Sequence, residues 1–389
     1  MSFTVTERTT CRLCGTLDLK PVLDLGNVPL ADFLDSRDQV AERAPLVFTR
    51  CEACGLLQLG HTVERDRLYR RYWYRSGMND TMKHALAAVV ADALDYHADP
   101  TSWLDIGAND GTLLSLVPDW IQRMACEPSL TFTEDLEARK LAVLPDYFSA
   151  AALNGQRFSI ITSCAMFYDV DDPASFVNDI RESLEPDGVW VNQLSDAHLM
   201  LKRNAFDNIV HEHLCYYDAG TLARLYADHG LQLIMVSYNE TNGGSIRTVA
   251  RLDRGSGATE APPIQVISRP QAEAFALRTL RWRRHMRDIL ANFANPWVYG
   301  ASTKGVTLLS WLGVSLLTAV ADKNPRKHGL WMPPVPLEIK SEEEMREARP
   351  DALLVLPWAF RDEFLEREAT TRALGTAMLF PLPSIEIVL

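Results

Sequence analysis

The sequence predicts an α/β protein with a doubly wound, Rossmann-like sheet at its centre and a second α/β region of similar design at its carboxyl end. Three observations lead to this prediction. TSWLDIGANDGTLLSLVP (101–118) reads as a strand, a glycine loop and the start of a helix, and WVYGASTKGVTLLSWLG (297–313) repeats that order. Two Cys-x2-Cys-Gly sequences, at 11–15 and 51–55, mark a separate N-terminal module. Because apolar strands alternate with helical segments, a mainly parallel sheet covered by helices is expected.

The size and charge of the chain limit its domain count and its partners. The chain has 389 residues, 47% hydrophobic and 23% charged, which is the composition of a globular protein with more than one core. We expect domains at 1–66, 67–255 and 256–389. The formal net charge of −12 disfavours nucleic acid or an anionic membrane as a partner, because both require a basic surface. A small molecule bound in a local basic pocket remains compatible with this charge.

No apolar run reaches the length of a membrane-spanning helix, which is about 20 residues. The longest run, LLSWLGVSLLTAVA (308–321), is interrupted by Ser and Gly and predicts a buried helix followed by a strand. The first residues, MSFTVTERTTCRLCG, lack the apolar core of a signal peptide. A cytoplasmic location is therefore expected.

Four cysteines, Cys11, Cys14, Cys51 and Cys54, are predicted to bind a structural zinc ion. Each pair places two thiolates on one tight turn, and the following glycine lets the backbone curl behind the metal. Two such turns facing each other form a closed tetrahedral site. Since no coordination position stays open, the metal would contribute folding free energy rather than chemistry. Two redox-active pairs, or a coincidental spacing, are the alternatives.

The central glycine loop contains the first candidate cofactor-binding residues. Asp105 ends an apolar strand, and Gly107, Asn109 and Gly111 follow in GANDG. This spacing differs from the G-x-G-x-x-G of dinucleotide-binding loops, although a dinucleotide fold stays an alternative at this point. The pattern acid-x-Gly-x-x-x-Gly resembles motif I of class I S-adenosylmethionine (SAM) methyltransferases, in which the backbone closely approaches the cofactor.

A second acidic position strengthens the prediction of a nucleoside cofactor. RMACEPS (123–129) puts Glu127 and Pro128 at the end of the next predicted strand, where a carboxylate can accept hydrogen bonds from both ribose hydroxyls. A helix is expected over 79–97, and 158–194 reads as strand, helix, Pro-Asp-Gly turn and strand. This order predicts a class I SAM methyltransferase core with S-adenosyl-L-methionine as cofactor.

Nearly the whole chain resembles the three-domain C-methyltransferases that act on nucleotide-linked keto-deoxysugars in antibiotic and surface-polysaccharide pathways. The resemblance lies in both cysteine pairs and in LDIGANDGTLL, EPS, FDNIVHEHLCYY, NGGSIR, YGASTKGVTLL, DKNPRKHG and LVLPWAF, in that order. It implies an N-terminal zinc module, a SAM methyltransferase core and a C-terminal Rossmann-like domain that holds the nucleotide diphosphate of the substrate. It also implies methyl transfer, through an enolate, to a carbon next to the ketone of a 4-keto-deoxysugar.

The H-E-H stretch is where the resemblance places the chemistry. In this family the last histidine acts as general base and the glutamate before it contacts the substrate, which implies these roles for His213 and Glu212. Histidine titrates near neutrality and can remove a proton next to a ketone, and a carboxylate can orient a sugar hydroxyl. If the stretch is extended, His211 and His213 share one face. A metal site or a structural polar cluster are the alternatives, and His211 is expected to hydrogen-bond the structure.

Two positions differ from the family pattern. Val210 stands where many sugar C-methyltransferases have Tyr, and Asn242 stands where they often have His before Gly-Gly-Ser. The tyrosine that donates to the substrate oxygen is therefore absent or replaced by Tyr216, Tyr217, Tyr168 or Tyr74. We expect Tyr217 and Asn242 to contact the substrate. The differences indicate a divergent branch, whose substrate is open between another keto sugar and a metabolite that is not a sugar.

RLYRRYWYRSGMND (67–80) resembles the family's Y-x-Y segment, which covers the cofactor from the N-terminal side. Tyr72, Tyr74 and Ser76 are therefore candidates for cofactor or substrate contact. Aromatic packing between the zinc module and the core is the alternative interpretation of this segment.

The C-terminal region contains the best local basic cluster. In GASTKG (300–305) the loop N–H groups and the start of a helix favour an anion, and Lys304 adds a positive charge. With Lys323, Arg326 and Lys327, it is predicted to hold the substrate diphosphate; a solvated lysine face is the alternative. The polar segment 251–270 is interpreted as a joint between domains, and helices are expected over 271–293 and within 338–351.

The predicted function is SAM-dependent C-methylation of a nucleotide-activated keto-deoxysugar. One alternative is methylation of a different small metabolite at carbon, oxygen or nitrogen. The other is an inactive, zinc-containing binding protein on a methyltransferase fold, against which the intact LDIGANDG and CEPS sequences argue.

Overall fold

The computed structural model describes residues 3–30, 32–255, 266–313 and 316–389. The N-terminal region consists of strands β1 (Val5–Glu7), β2 (Leu19–Pro29), β3 (Arg43–Cys51), β4 (Leu57–Leu59) and β5 (His61–Val63). β2, β3 and β4 form an antiparallel sheet, and β1 pairs with β5. Along β3 buried and less buried residues alternate, so that Leu46 and Phe48 face the interior.

The central region alternates helices and strands, as the sequence predicted. Its elements are α1 (Arg65–Tyr69), α2 (Asp80–Tyr96), β6 (Ser102–Ile106), β7 (Gln122–Cys126), α3 (Thr133–Ala138), β8 (Ala142–Leu144), β9 (Phe158–Cys164), α4 (Pro173–Ser183), β10 (Leu184–Ser195), α5 (Ala197–Lys202), β11 (Cys215–Tyr216), α6 (Ala219–Asp228), β12 (Leu231–Asn239) and β13 (Ser245–Leu252).

Seven of these strands form the central sheet, in the order β12-β13-β10-β9-β6-β7-β8. β10, β9, β6, β7 and β8 are parallel, and β13 runs antiparallel to both of its neighbours. The chain builds β7 and β8 on one side of β6 and then crosses to the other side for β9 and β10. Ligands bind at such a reversal, at the carboxyl ends of the strands. The carboxyl ends of β6 and β9 therefore mark the expected site.

One predicted helix is wrong. The residues after the glycine loop form only a single 3-10 turn, Leu114–Leu116, rather than an α-helix. Pro118 follows at once, and the residue before a proline is driven away from helical backbone angles, so Val117 is extended. The loop at 107–111 is consequently not followed by a long helix.

The C-terminal region contains α7 (Arg269–Leu290), β14 (Pro296–Tyr299), α8 (Thr303–Leu312), β15 (Val320–Ala321), β16 (Trp331–Met332), β17 (Leu337–Lys340), α9 (Glu342–Ala348), β18 (Ala352–Val355), α10 (Arg361–Arg367), α11 (Ala369–Ala373), β19 (Ala377–Phe380) and β20 (Glu386–Val388). Its sheet has the order β16-β17-β15-β14-β18-β19-β20, with five parallel strands between two antiparallel edges. This confirms the predicted second Rossmann-like region, and the fold class as α/β.

Strand pairing and apolar packing both join the three regions. β11 leaves the central region and pairs with β4, extending the N-terminal sheet. One apolar cluster includes Phe48 of β3, Phe206 of the central region and Trp282 of α7. The proposed joint at 251–270 lies partly outside the described residues, which exclude 256–265. None of the helices in the described ranges is both long enough and apolar enough to span a membrane.

Candidate functional site

The four cysteines predicted to bind zinc lie together. Their sulfur atoms are all within 4.8 Å of one another, and the Cys11–Cys54 and Cys14–Cys51 sulfur pairs are each 3.6 Å apart. Zn–S bonds of about 2.3 Å place the sulfurs of a tetrahedral site about 3.8 Å apart, so the cluster fits zinc. The interaction with Cys54 lowers the pKa of Cys11 to about 5, and the same interaction, together with burial, raises the pKa of Cys54.

The cluster is connected to the central region through Arg12, which lies between two of the cysteines. Its guanidinium donates to Asp171 Oδ1 at 3.0 Å from Nε and to the carbonyl of Leu59 at 2.6 Å from Nη1. Arg12 is 4% exposed, and Asp171 lies on the wall of the central cavity. The zinc module therefore contacts the rim of that cavity directly.

A cavity of about 770 Å³ lies at the carboxyl ends of β6, β7 and β9. This volume falls in the range of about 300–1,000 Å³ that is typical of small-molecule sites. Its wall includes ten of the candidate residues: Tyr74, Ser76, Gly107, Asn109, Glu127, Pro128, Glu212, His213, Asn242 and Lys304. The structure thus brings these ten candidate cofactor and substrate residues around one space.

The glycine loop and Glu127 form one hydrogen-bonded unit. The Asn109 N–H donates to Glu127 Oε2 at 2.7 Å, and the Ser129 N–H donates to Glu127 Oε1 at 2.8 Å. Burial raises the pKa of Glu127, and the two hydrogen bonds from Ser129 and Asn109 partly offset this rise. Each carboxylate oxygen keeps a further lone pair, so Glu127 can accept from two neighbouring hydroxyl groups. Gly107 has φ +72°, and an added Cβ would lie 3.0 Å from Met166, so the loop is closely packed there.

Asp105 and Gly111 lie behind this loop and are not on the cavity wall. Asp105 accepts a hydrogen bond from Thr162 Oγ1 at 2.7 Å, and burial raises its pKa to about 7. Gly111 has φ +74°, and a Cβ there would lie 2.9 Å from Arg139 Cδ. Both residues shape the loop rather than line the cavity.

The segment 72–78 crosses the open side of the glycine loop. The Asn109 side chain donates to the Tyr74 carbonyl at 3.0 Å and accepts from the Ser76 N–H at 3.0 Å. Tyr72, Tyr74 and Ser76 all line the cavity, and Tyr74 is 42% exposed. Pro128 also lines it, and its carbonyl accepts from Arg70 at 3.1 Å.

The H-E-H stretch is a turn and not a strand. The His213 N–H donates to the Val210 carbonyl at 3.1 Å, so the alternation expected of an extended chain does not apply. Glu212 and His213 both line the cavity, whereas His211 does not. His211 Nε2 lies 3.1 Å from the Ala44 carbonyl, in agreement with its expected structural role. Within the described ranges the four cysteines are the one group of candidate metal ligands, so a metal at these histidines has no support.

His213 is held in one orientation. Its Nδ1 lies 2.9 Å from the Asn208 carbonyl, which can only accept, so Nδ1 carries the proton and Nε2 holds the lone pair. The ring lies 4.0 Å from the Tyr168 ring, centroid to centroid. Burial, and then the charge of Lys304, lowers the pKa of His213 to about 3, while the bond to Asn208 acts in the opposite direction. The imidazole is therefore neutral at physiological pH.

Lys304 reaches this site from the C-terminal region. It is the second residue of α8, and its ammonium group donates to Asn208 Oδ1 at 2.6 Å. Burial lowers its pKa, and the nearby Asp207 raises it. Asp207 is in turn bound by Trp358, whose indole N–H donates to Oδ2 at 2.8 Å. The lysine thus lies at the cavity wall beside the histidine.

Glu212 has a neighbour that the sequence did not reveal, Asp169. Both residues line the cavity, and each has a buried carboxylate oxygen without a hydrogen-bond partner among the described residues. Burial raises the pKa of Glu212 to about 7. Burial and the charge of Glu212 raise the pKa of Asp169 well above its usual range. The N–H of Leu214 donates to the Tyr168 carbonyl at 2.8 Å, which holds the two segments together.

The remaining candidates differ in position. Asn242, with φ 53°, lines the cavity. Tyr217 is fully buried, stacks on Phe167 with ring centroids 5.1 Å apart, and is not on the cavity wall. Lys323 is exposed and lies 3.4 Å from the Met78 carbonyl, also away from the wall.

Asn208 and Asp169 are residues of this site that the sequence reasoning missed. Asn208 precedes H-E-H within the quoted motif FDNIVHEH, so its position was available as a signal. Asp169 lies in CAMFYDVDD after β9, at the strand end next to the glycine loop, and a search of the carboxyl ends of strands would have found it.

Three family models match successive parts of the chain. A "Putative zinc binding domain" matches residues 11–69, a "Methyltransferase domain" matches 78–236, and a "C-methyltransferase C-terminal domain" matches 240–383. The chain is 26% identical over 407 residues to the C-methyltransferase NovU of Streptomyces niveus, with 97% of this chain and 96% of NovU covered.

Solved methyltransferases resemble part of the chain. The 1,6-didemethyltoxoflavin-N1-methyltransferase of Burkholderia thailandensis is 14% identical, with 46% of this chain and 82% of that chain covered and a TM-score of 0.37. The CcbJ methyltransferase of Streptomyces caelestis is 15% identical, with 46% and 93% covered and a TM-score of 0.36.

The three family matches and the sheet order agree on one assignment. The central sheet is the core of a class I methyltransferase, whose cofactor is SAM, and the N-terminal cysteines form a structural zinc site. The chain is a SAM-dependent methyltransferase in which matches to a zinc-binding domain, a methyltransferase domain and a C-methyltransferase C-terminal domain follow one another.

Proposed function

We propose that this enzyme methylates a carbon next to the ketone of a nucleotide-activated 4-keto-deoxysugar, through an enolate. The observation that carries the proposal is the orientation of His213. Its Nδ1 is held by the Asn208 carbonyl, and its Nε2 has no hydrogen-bond partner among the described residues of a cavity that also contains Gly107 and Glu127. A general base is thereby held beside the cofactor loop.

The first step of the reaction uses the residues of the chain alone. His213 Nε2 removes the proton, the electron pair of the broken C–H bond forms the carbon–carbon double bond of the enolate, and the carbonyl π pair moves to oxygen. The lowered pKa of His213 leaves its Nε2 lone pair free at neutral pH, but it also makes the resting imidazole a weaker base than an exposed histidine. The imidazolium that forms lies beside the negative enolate, and this attraction offsets the cost of charging a buried ring.

The other residues hold the two reactants. In the proposal Glu127 accepts from the ribose of the cofactor, the loop 105–111 supports its adenosyl and methionyl groups, and bound SAM supplies the methyl group. Glu212 orients a substrate hydroxyl, Tyr74, Ser76 and Asn242 contact the ligands, and the C-terminal domain holds the nucleotide. The name of NovU and the match to a C-methyltransferase C-terminal domain support transfer to carbon.

The test is deuterium exchange at carbon. A nucleotide-linked 4-keto-6-deoxyhexose is incubated with the enzyme in D2O, with and without SAM, and analysed by mass spectrometry. We expect deuterium uptake without SAM and gain of one methyl group with it. His213→Ala should reduce the rates of deuterium exchange and of methylation about 100- to 10,000-fold. His229→Ala, at the C-terminal end of α6, should leave both rates unchanged.

Other outcomes distinguish the alternatives. Methylation without exchange would indicate transfer to oxygen or nitrogen and overturn the enolate. A protein that binds SAM but neither exchanges nor methylates this ketone would show that the substrate is of another class. These alternatives are tested because Val210 lies on the cavity wall where many sugar C-methyltransferases have a tyrosine.

A further inference from the structure

Asn208 holds two functional groups at once. Its backbone carbonyl accepts from His213 Nδ1 at 2.9 Å, and its side-chain oxygen accepts from Lys304 Nζ at 2.6 Å. Asn208 is itself fixed, because its Nδ2 donates to the Ala205 carbonyl at 3.3 Å and its carbonyl also accepts from the Tyr216 hydroxyl at 3.2 Å. Asn208, which is 3% exposed, thus positions both the histidine and the lysine. Both of these side chains line the same cavity.

This arrangement is different from a phosphate site. A diphosphate carries more than one negative charge, so several cations or loop N–H groups are expected to hold it together. Lys323 is exposed and does not line the cavity, and the Lys327 ammonium donates to the Ala301 carbonyl at 2.6 Å. Lys304 is instead bound to Asn208, the residue that also holds the base. An ammonium group has three N–H donors, and Asn208 uses one, so two remain for a ligand.

We propose that Lys304 is a catalytic residue, whose ammonium group donates to the carbonyl oxygen of the substrate while His213 Nε2 removes the neighbouring proton. When the C–H bond breaks, its electron pair forms the carbon–carbon double bond and the carbonyl π pair moves to oxygen, where the ammonium stabilises the negative charge. No proton needs to leave Lys304. A fixed donor aimed at a developing oxyanion is among the largest contributions to catalysis.

The inference deepens the proposed function and rests on it. It also accounts for Val210. A tyrosine at that position would offer a hydroxyl donor to the substrate oxygen, and valine on the cavity wall offers none. Lys304, brought in by the first turn of α8, supplies a donor from the C-terminal region. The base and the oxyanion donor would then come from different regions, and the site would be complete only when these regions are packed together.

The experiment separates stabilisation of the enolate from binding of phosphate. Lys304→Met is compared with Lys202→Met, the same substitution at an exposed lysine that does not line the cavity. Two quantities are measured: the rate of deuterium exchange at saturating 4-keto-6-deoxyhexose, prepared with thymidine or uridine diphosphate, and the affinity for each nucleoside diphosphate alone. We expect exchange by Lys304→Met to fall about 100- to 1,000-fold while nucleoside diphosphate affinity and SAM affinity stay at the wild-type values.

Three results would overturn the inference. Exchange by Lys304→Met equal to that of Lys202→Met removes the catalytic role. Loss of nucleoside diphosphate affinity with exchange retained at saturation assigns Lys304 to the phosphates. A wild-type enzyme that exchanges nothing removes the proposed function, and this inference with it. If Lys304→Met also loses SAM binding, Lys304→Gln, which keeps an N–H donor for Asn208, is measured in its place.

Discussion

Asp169 and Glu212 both lie on the wall of the cavity, where burial and the charge of Glu212 raise the pKa of Asp169, and each has a buried carboxylate oxygen with no hydrogen-bond partner among the described residues. Neither has a cation among the causes of its pKa shift. Burial favours the protonated form of both carboxyl groups, and the charge of Glu212 adds to this effect on Asp169. The pair is therefore a source of pH dependence.

Glu212→Gln should change the dependence of stability on pH. The pKa of Glu212 is raised from 4.5 to about 7 in the folded protein. Below pH 4.5 the residue is protonated in both states; as the pH rises toward 7 the unfolded state ionises first, so wild-type stability falls. Above about pH 7 the loss of wild-type stability levels off. Between pH 4.5 and about 7, the free energy of unfolding of Glu212→Gln, measured in urea, should rise relative to that of the wild type. Glu347→Gln, at an exposed site, should show no such rise.

Glu127→Gln should weaken SAM binding. The carboxylate accepts from the N–H groups of Asn109 and Ser129, one on each oxygen, and an amide would turn an NH2 group toward one of them. Losing hydrogen bonds to a charged acceptor should reduce affinity about 10- to 100-fold in calorimetry. Glu134→Gln, an exposed change on α3, is the control. Unchanged affinity in Glu127→Gln would remove Glu127 from the cofactor site.

Cys51→Ser should release the zinc and loosen the N-terminal module. The site uses four sulfurs and has no spare ligand, so one substitution leaves an incomplete coordination shell. We expect loss of metal in elemental analysis and a lower Tm. Cys164→Ser changes a cysteine outside the cluster and should retain the metal. Full zinc content in Cys51→Ser would contradict the four-cysteine assignment.

Gly243→Ala should destabilise the contact between the central and C-terminal regions. Gly243 has φ +87°, and an added Cβ would lie 2.6 Å from Trp358 Cη2. Gly155 has φ +80° with no atom within 4 Å of such a Cβ, so Gly155→Ala reports the backbone strain alone. We expect Gly243→Ala to cost about 1–3 kcal/mol more in free energy of unfolding than Gly155→Ala. Equal costs would mean that Trp358 moves aside freely.

Local sequence patterns predicted the parts of the site that depend on local geometry. Gly107, Asn109 and Glu127 lie at strand ends, and the carboxyl ends of adjacent parallel strands meet at one edge of the sheet, so their proximity followed from the spacing. The cysteine pairs were predictable for the same reason, since each is a single turn. The roles of these residues in binding and catalysis stay predictions.

Positions set by distant contacts were not predictable. Tyr217 points into the core because the strand before it pairs with β4 in a register that joins Cys215 to Gln58. His213 lies on the cavity because H-E-H forms a turn, although the same residues could have been extended. Lys304 faces the histidine through Asn208, from a part of the chain far away in sequence. Nothing in the local sequence encodes these pairings.

The pairing of β11 with β4 has a consequence for truncation. β11 begins two residues after His213, and β4, in the N-terminal module, is its single neighbour in the described sheet. The N–H of Leu59 also donates to the Leu214 carbonyl at 3.0 Å. An enzyme shortened to begin after residue 66 would retain every residue of its catalytic turn and lose the backbone against which that turn is shaped. Residue 66, the predicted end of the N-terminal module, is therefore a poor site at which to truncate the chain.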